Sequence, residues 1–387
     1  MENLTHSLVG LASAKAGLER MSPYATIVCV ASANAADADF VSLFFGDRWT
    51  LLEHHRGITH SIIGTIAIGF LIPILALAVE RAVSAVSNLK PRIRFRGLLL
   101  ASIIAAATHP LLDWTNNYGV RPFLPWSGRW FYGDLVFIVD PYIWLLLGGV
   151  GFLLTSNSKL KTCAWAVLGA AIITFIALAG WSSVADGASL RVAVAVWIVV
   201  VILLGLARKF GLQENAGPKT VIGALILLVA YWGALAFAHQ LALSNTRAVA
   251  DHLASRRLER VIQVVAMPMA ASPLRWQSVA ETDLAMYRFT VDVGGDRSGP
   301  SWTATVNGAE LDRYEKPTGQ PAEFVALAMK DRRAEALLRF ARFPIEHVNA
   351  DNCVGQALVQ FADLRYTEPG RGRANFSVNI PVDCPSR

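Results

Sequence analysis

EHHRGITHSIIGTIAIGFLIPILALAVE, residues 53–80, carries three histidines and an arginine straight into a run with no charge between His60 and Glu80. At 1.5 Å per residue, about 20 apolar residues cross the roughly 30 Å hydrocarbon core of a bilayer. Residues 58–79 therefore read as a transmembrane helix, and further windows of this kind start near Gly97, Leu135, Thr162, Val192 and Thr220. The expected fold is mainly α, a polytopic transmembrane helix bundle. Composition agrees: 54% of the 387 residues are hydrophobic and only 17% charged. Mean hydropathy is +0.42, which excludes an ordinary soluble domain. Much of the basic excess behind the formal charge of +6 lies in short loops, where it orients spans; the bilayer, and no nucleic acid, is the expected partner.

Three basic loops set the direction. Arg81, Lys90, Arg92, Arg94 and Arg96 crowd the first, Lys159 and Lys161 the second, and Arg208, Lys209 and Lys219 the third. Placing all three in the cytoplasm sends residues 58–79 inward and 97–116 outward, and ends the last span, 220–243, outside. The stretch MENLTHSLVG lacks a basic n-region, so the first spans are expected to do the targeting, to an inner (plasma) membrane. Ahead of them, residues 6–18 and 24–36 are short for full spans and read as a helical hairpin packed on the bundle. Residues 1–245 form the expected membrane domain.

After Asn245 the composition changes. Apolar–polar alternation in MYRFTVDV (286–293), WTATV (302–306), ALVQFADLRY (357–366) and ANFSVNI (374–380) predicts strands, with one amphipathic helix over 322–343 between them. Residues 246–387 are thus expected to form a soluble periplasmic or extracellular α+β domain whose protein partner, if any, the sequence leaves unknown. In an oxidising compartment Cys353 and Cys384 either pair or remain two free thiols.

The chemistry gathers at the outer lip. In ATHPLLDWTNNYG, residues 107–119, His109 and Asp113 are four apart and share one helix face near the outer end of a span. His60 is similarly shallow, and His6, Asp37, Asp39 and His55 fall on the same side. Ionisable side chains at that depth are costly unless they face a partner inside the bundle. Imidazole with carboxylate makes ligand sets for zinc, manganese or iron, so these seven residues are the candidate ligands of a divalent metal, with zinc first and manganese second. His55 and His60 are five apart and would diverge on an unbroken helix; Gly57 can supply a bend and Thr59 a cap. His54 reads as a surface neighbour.

The order of Thr5-His6, Asp37-Ala38-Asp39, the run His55-Arg56-Gly57-Ile58-Thr59-His60-Ser61, and His109-Pro110-Leu111-Leu112-Asp113 with Tyr118-Gly119 resembles the inner-membrane metal-dependent hydrolases. These are membrane-bound, LexA-regulated-type hydrolases whose motifs are distantly similar to zinc-dependent phospholipases C. The resemblance covers about the first 150 residues, and Ala36 stands where the family pattern usually has a proline. It implies metal-dependent hydrolysis more firmly than any one substrate.

Each residue also has a structural reading. His60, His109 and Asp113 can glue helices together, and Asp113 can orient a histidine from behind. Arg56 can pair with a phosphate or with one of the acids. Asp140, followed by Pro141 in an apolar run, is a ligand, proton acceptor or substrate contact, or else a buried helix–helix bond; Glu53 is a candidate general base. Together these features predict a membrane hydrolase for an ester or phosphoester of a lipid or lipid-linked substrate. The alternative is a metal-binding membrane scaffold. Ion conduction is disfavoured, because GLLLASIIAAAT below His109 offers only Ser102 and Thr108.

Overall fold

The computed structural model describes residues 1–88, 90–179, 187–293, 311–350, 355–370 and 375–384. It divides into two compact units, the first comprising 1–39, 56–237 and 268–273, the second 40–55, 238–267 and 274–387.

The first unit is helical. Helix α1 (Asn3–Lys15) starts where the Glu2 carboxylate accepts the Thr5 N–H at 2.8 Å. Helix α2 (Ala25–Asn34) returns beside it, and the pair packs closely because Gly10 has no side chain. A Cβ there would lie 2.9 Å from both the Cys29 carbonyl oxygen and the Val30 Cα. Helices α4 (Ile62–Ser87) and α5 (Phe95–Trp114) follow, with Gly69 seated against Ile103. The 26 residues of α4 rise about 39 Å, enough to cross a bilayer even when tilted. Ser32 and Ser102 hydroxyls join α2 to α5 at 2.8 Å.

Helices α6 (Pro141–Thr155), α7 (Lys159–Ala179) and α8 (Gly187–Lys209) complete the bundle with the start of α9 (Pro218–Ser255). Among the described residues, six helical segments are long and apolar enough to span a membrane: Ala25–Phe44, Ile62–Ser87, Phe95–Trp114, Lys159–Leu178, Gly187–Lys209 and Pro218–Ser255. The chain is a multi-pass membrane protein. Two expectations change in detail. The window from Leu135 yields only the 15-residue α6, because residues 135–140 are not helical. The second arm of the N-terminal hairpin, continued by 3₁₀ turns over Ala35–Phe44, is long enough to be counted instead.

The second unit holds the sheets. One is ordered β1-β2-β3-β4 (Val261–Met269, Ser272–Thr282, Ala285–Asp292, Asp312–Glu315), the other β5-β6-β7 (Pro344–Asn349, Gln356–Asp363, Ser377–Asp383). The β2–β3, β3–β4, β5–β6 and β6–β7 pairs are antiparallel. The predicted strands at 286–293, 357–366 and 374–380 correspond to β3, β6 and β7, whereas WTATV lies outside the described residues. The predicted single helix is two, α10 (Gln320–Ala328) and α11 (Arg332–Phe340), since Asp331 takes an extended conformation and caps α11 through the Arg333 N–H at 2.8 Å. Segment 40–55 also belongs to this unit. Its helix α3 (Arg48–His54) packs on α11, with Arg48 donating to the Ser377 carbonyl at 3.0 Å and Arg332 to Thr50 Oγ1 at 2.8 Å. Cys384 is disulfide-bonded; Cys353 lies outside the described residues.

Candidate metal centre

Five expected ligands converge in the first unit. His6 comes from α1, Asp37 from the 3₁₀ segment after α2, His60 from a 3₁₀ turn (Ile58–His60) before α4, and His109 and Asp113 from successive turns of α5. The Nε2 atoms of His60 and His109 lie 3.0 Å apart. Asp37 Oδ1 is 3.4 Å from the first and 3.5 Å from the second; Asp113 Oδ2 is 3.3 and 3.4 Å away. Asp37, His60, His109 and Asp113 therefore offer four donor atoms around one point and could hold a metal ion.

The surrounding hydrogen bonds decide what those nitrogens carry. His109 Nδ1 is 2.6 Å from the Ala33 carbonyl, which can only accept, so Nδ1 bears the proton. On His60, Nδ1 faces the Thr59 hydroxyl at 3.0 Å and Asp39 Oδ2 at 3.4 Å. Thr59 itself donates to Asp39 at 3.1 Å, so its lone pair receives the His60 Nδ1 proton. Both Nε2 atoms then present bare lone pairs to each other and to two carboxylates. That arrangement is repulsive without a cation between them, and the four donors suit one. His6, fully buried, stacks on His109 with ring centroids 3.7 Å apart, its Nε2 3.5 Å from Asp113 Oδ1. Neither of its ring nitrogens has a hydrogen-bond partner among the described residues, an unmet demand that a metal or its ligand would satisfy.

Arg56 fixes the site's geometry. Its side chain is buried, lies over the Tyr118 ring and sets Nη2 3.0 Å from Asp113 Oδ1. Nη1 donates to Asn116 Oδ1 at 2.9 Å and to the Gly119 carbonyl at 3.1 Å. Of the two partners expected, phosphate or acid, the structure supplies the acid. The amino group of Met1 also lies against Asp113. Arg56 itself holds the left-handed backbone conformation (φ 52°), with its N–H bonded to Asp39 Oδ2 at 3.0 Å. The bend expected at Gly57 is thus carried by Arg56. Ser61, accepting the Gly64 N–H at 3.1 Å, caps α4 in place of Thr59.

Asp39 sits behind His60 as the carboxylate that orients it. His55 and Glu53 belong to the second unit, where the His55 ring lies 4.8 Å from that of Phe40. Asp140 is the N-cap of α6, accepting from Tyr142 and Ile143 N–H at 2.8 and 3.1 Å and from the Tyr231 hydroxyl at 2.9 Å. Pro141 takes the first helical position, where its missing N–H costs nothing, so it starts a helix and kinks none. Asn116 and the Ala33 carbonyl were not anticipated. Asn116 stood in the quoted motif; a backbone acceptor leaves no mark in side-chain patterns.

Residues 1–185 match the family described as YdjM inner membrane protein. The cluster lies wholly inside that region. The uncharacterized protein YfhP of Bacillus subtilis (strain 168) is 26% identical over 155 residues, covering 38% of this chain and 43% of that protein. The chain thus aligns with less than half the length of this relative. No solved structure matches significantly.

Proposed function

We propose that the protein is a membrane-embedded, metal-dependent hydrolase that cleaves an ester or phosphoester of a lipid or lipid-linked substrate at the outer headgroup level. The observation that carries this reading is the convergence of two imidazole Nε2 atoms and two carboxylates around one point. Asp37, His60, His109 and Asp113 would hold the ion, with His6 beside them. A divalent ion supplies Lewis-acid polarisation of the scissile group and lowers the pKa of a water toward 7. Arg56 keeps Asp113 oriented, and Asp39 holds His60 with its donor nitrogen inward.

Asp37 is 9% exposed against 1% for Asp113, so it is the carboxylate a water can reach. With Oδ1 facing the ion, its other oxygen would accept the water's proton as the water oxygen bonds to carbon or phosphorus, and would return that proton to the departing oxygen, which leaves with its electron pair. With the basic loops in the cytoplasm and α6 carrying the chain back to them, the cluster would lie at the outer side and the C-terminal unit in the periplasm or cell exterior. Residues at headgroup depth meet lipids more readily than soluble esters.

Complete burial of His6, His60 and His109 favours a second reading, a scaffold with a closed structural ion. Purified protein loaded with zinc or manganese and given phospholipid and polyprenyl-phosphate esters decides between them. Turnover that a chelator abolishes and added metal restores supports the hydrolase. An ion that resists the chelator, with no turnover on any substrate, supports the scaffold.

A further inference from the structure

A cavity of about 310 Å³ in the first unit, walled by α1, α6, α7 and α8, takes no part in the metal cluster. Indole rings of Trp144, Trp165 and Trp197 line it, and its walls are mostly apolar. Such a space stays dry and accepts hydrocarbon in preference to water. Its lining on α8 runs from Trp197 to Arg208. Eleven residues rise about 16 Å, close to half the roughly 30 Å hydrocarbon core, from Trp197, whose N–H bonds the Pro141 carbonyl at the start of α6, toward the basic loop at the other end. Arg208, at one end, donates to the Ser156 carbonyl and hydroxyl and so closes the space against the end of α6.

The cavity shares a wall with the cluster. Trp144 turns its ring to the cavity while its N–H donates to Thr5 Oγ1 at 2.9 Å and Glu2 Oε1 at 2.6 Å. Thr5 precedes His6, and Leu8, one turn after Thr5 on α1, lines the cavity. One helix therefore serves both compartments. Glycines keep the space open: a Cβ at Gly169 or Gly205 would meet nothing within 4 Å, and one at Gly148 only the Trp165 ring at 3.9 Å.

We propose that this cavity is the chain-binding subsite of the centre, holding one hydrocarbon chain of an amphiphilic substrate whose polar head lies at the His/Asp cluster. The substrate assignment rests on the hydrolase reading; occupation by a chain does not. The test compares wild type with Gly148→Leu and Gly205→Phe, two fillings from different helices. Native mass spectrometry of protein extracted in mild detergent reads retained phospholipid. Hydrolysis of matched short- and long-chain phosphoesters reads chain preference, with metal content as the control.

Lipid retained by wild type and lost in both variants, with metal content and short-chain turnover unchanged, is the expected result. The long-chain preference should fall about tenfold or more, as for a pocket shortened by several methylenes. Equal lipid retention in all three proteins, or an unaltered chain preference, overturns the proposal. If wild type hydrolyses nothing, the hydrolase reading fails, and retention alone still decides whether a chain occupies the cavity.

Discussion

Asp39 and Asp140 are both acids at the edge of apolar runs, yet their surroundings assign them different work. Asp39 receives the Arg56 N–H and the Thr59 hydroxyl and faces His60 Nδ1, so it orients a ligand from behind. Asp39→Asn should weaken metal binding about 10- to 100-fold without abolishing it, which zinc titration by calorimetry or a competing chelator will read. Asp140 caps α6 and accepts from Tyr231. Asp140→Ala should cost about 1–2 kcal/mol of stability in thermal unfolding and leave metal content intact; lost metal in an otherwise stable protein would return Asp140 to the site.

The contrast shows what spacing reveals. His109 and Asp113 are legible because four residues is one helical turn, and His60 because it precedes an uncharged run. Asp140-Pro141 was legible too, as the signature of a helix start, but an acid in an apolar setting drew the functional reading first.

Helices α1 and α2 bring His6 and Asp37 to the cluster, and their approach depends on Gly10 meeting the backbone of Cys29 and Val30. Gly10→Ala places a methyl where none fits. It should lower stability by about 1–3 kcal/mol and reduce metal content, since His6 lies one turn away on the same helix; an unchanged thermal midpoint would show that the hairpin tolerates a wider spacing. In the second unit, Glu259 ties β2, β3 and β4 together by accepting from Thr282 at 2.7 Å, Tyr287 at 2.9 Å and Arg313 at 2.7 Å. Burial raises its pKa, but the bonds from Arg313, Thr282 and Tyr287 outweigh that and hold it below the ordinary 4.5. A depressed carboxylate contributes stability above its ordinary value and loses it as pH falls through the folded one. The thermal midpoint should therefore drop on acidification below 4.5, and less steeply in Glu259→Gln. The strands β1 and β2 were missed, because IQVVAMPM and PLRWQSVAET alternate weakly, while the stronger alternation of β3, β6 and β7 was read directly.

At the scale of the whole molecule, hydropathy alone was enough for the membrane class, since six segments among the described residues meet the length and apolarity that a bilayer imposes. It could not show which short apolar stretches would count, because α6 is cut to 15 residues by the Asp140 cap. Nor could it show that 40–55 and the C-terminal region form one packed unit, a long-range pairing that no local pattern encodes. The cluster ties three parts of the chain, 6, 37 and 60, to α5, and its function rests on whether that convergence holds an ion. Metal content by mass spectrometry on detergent-purified wild type beside His60→Ala and Asp113→Ala tests it most directly. About one equivalent of zinc or manganese in wild type, lost in both variants while they remain folded, is the predicted result. A wild type that carries no metal and takes up none when offered would contradict the account and leave the histidines as links between helices.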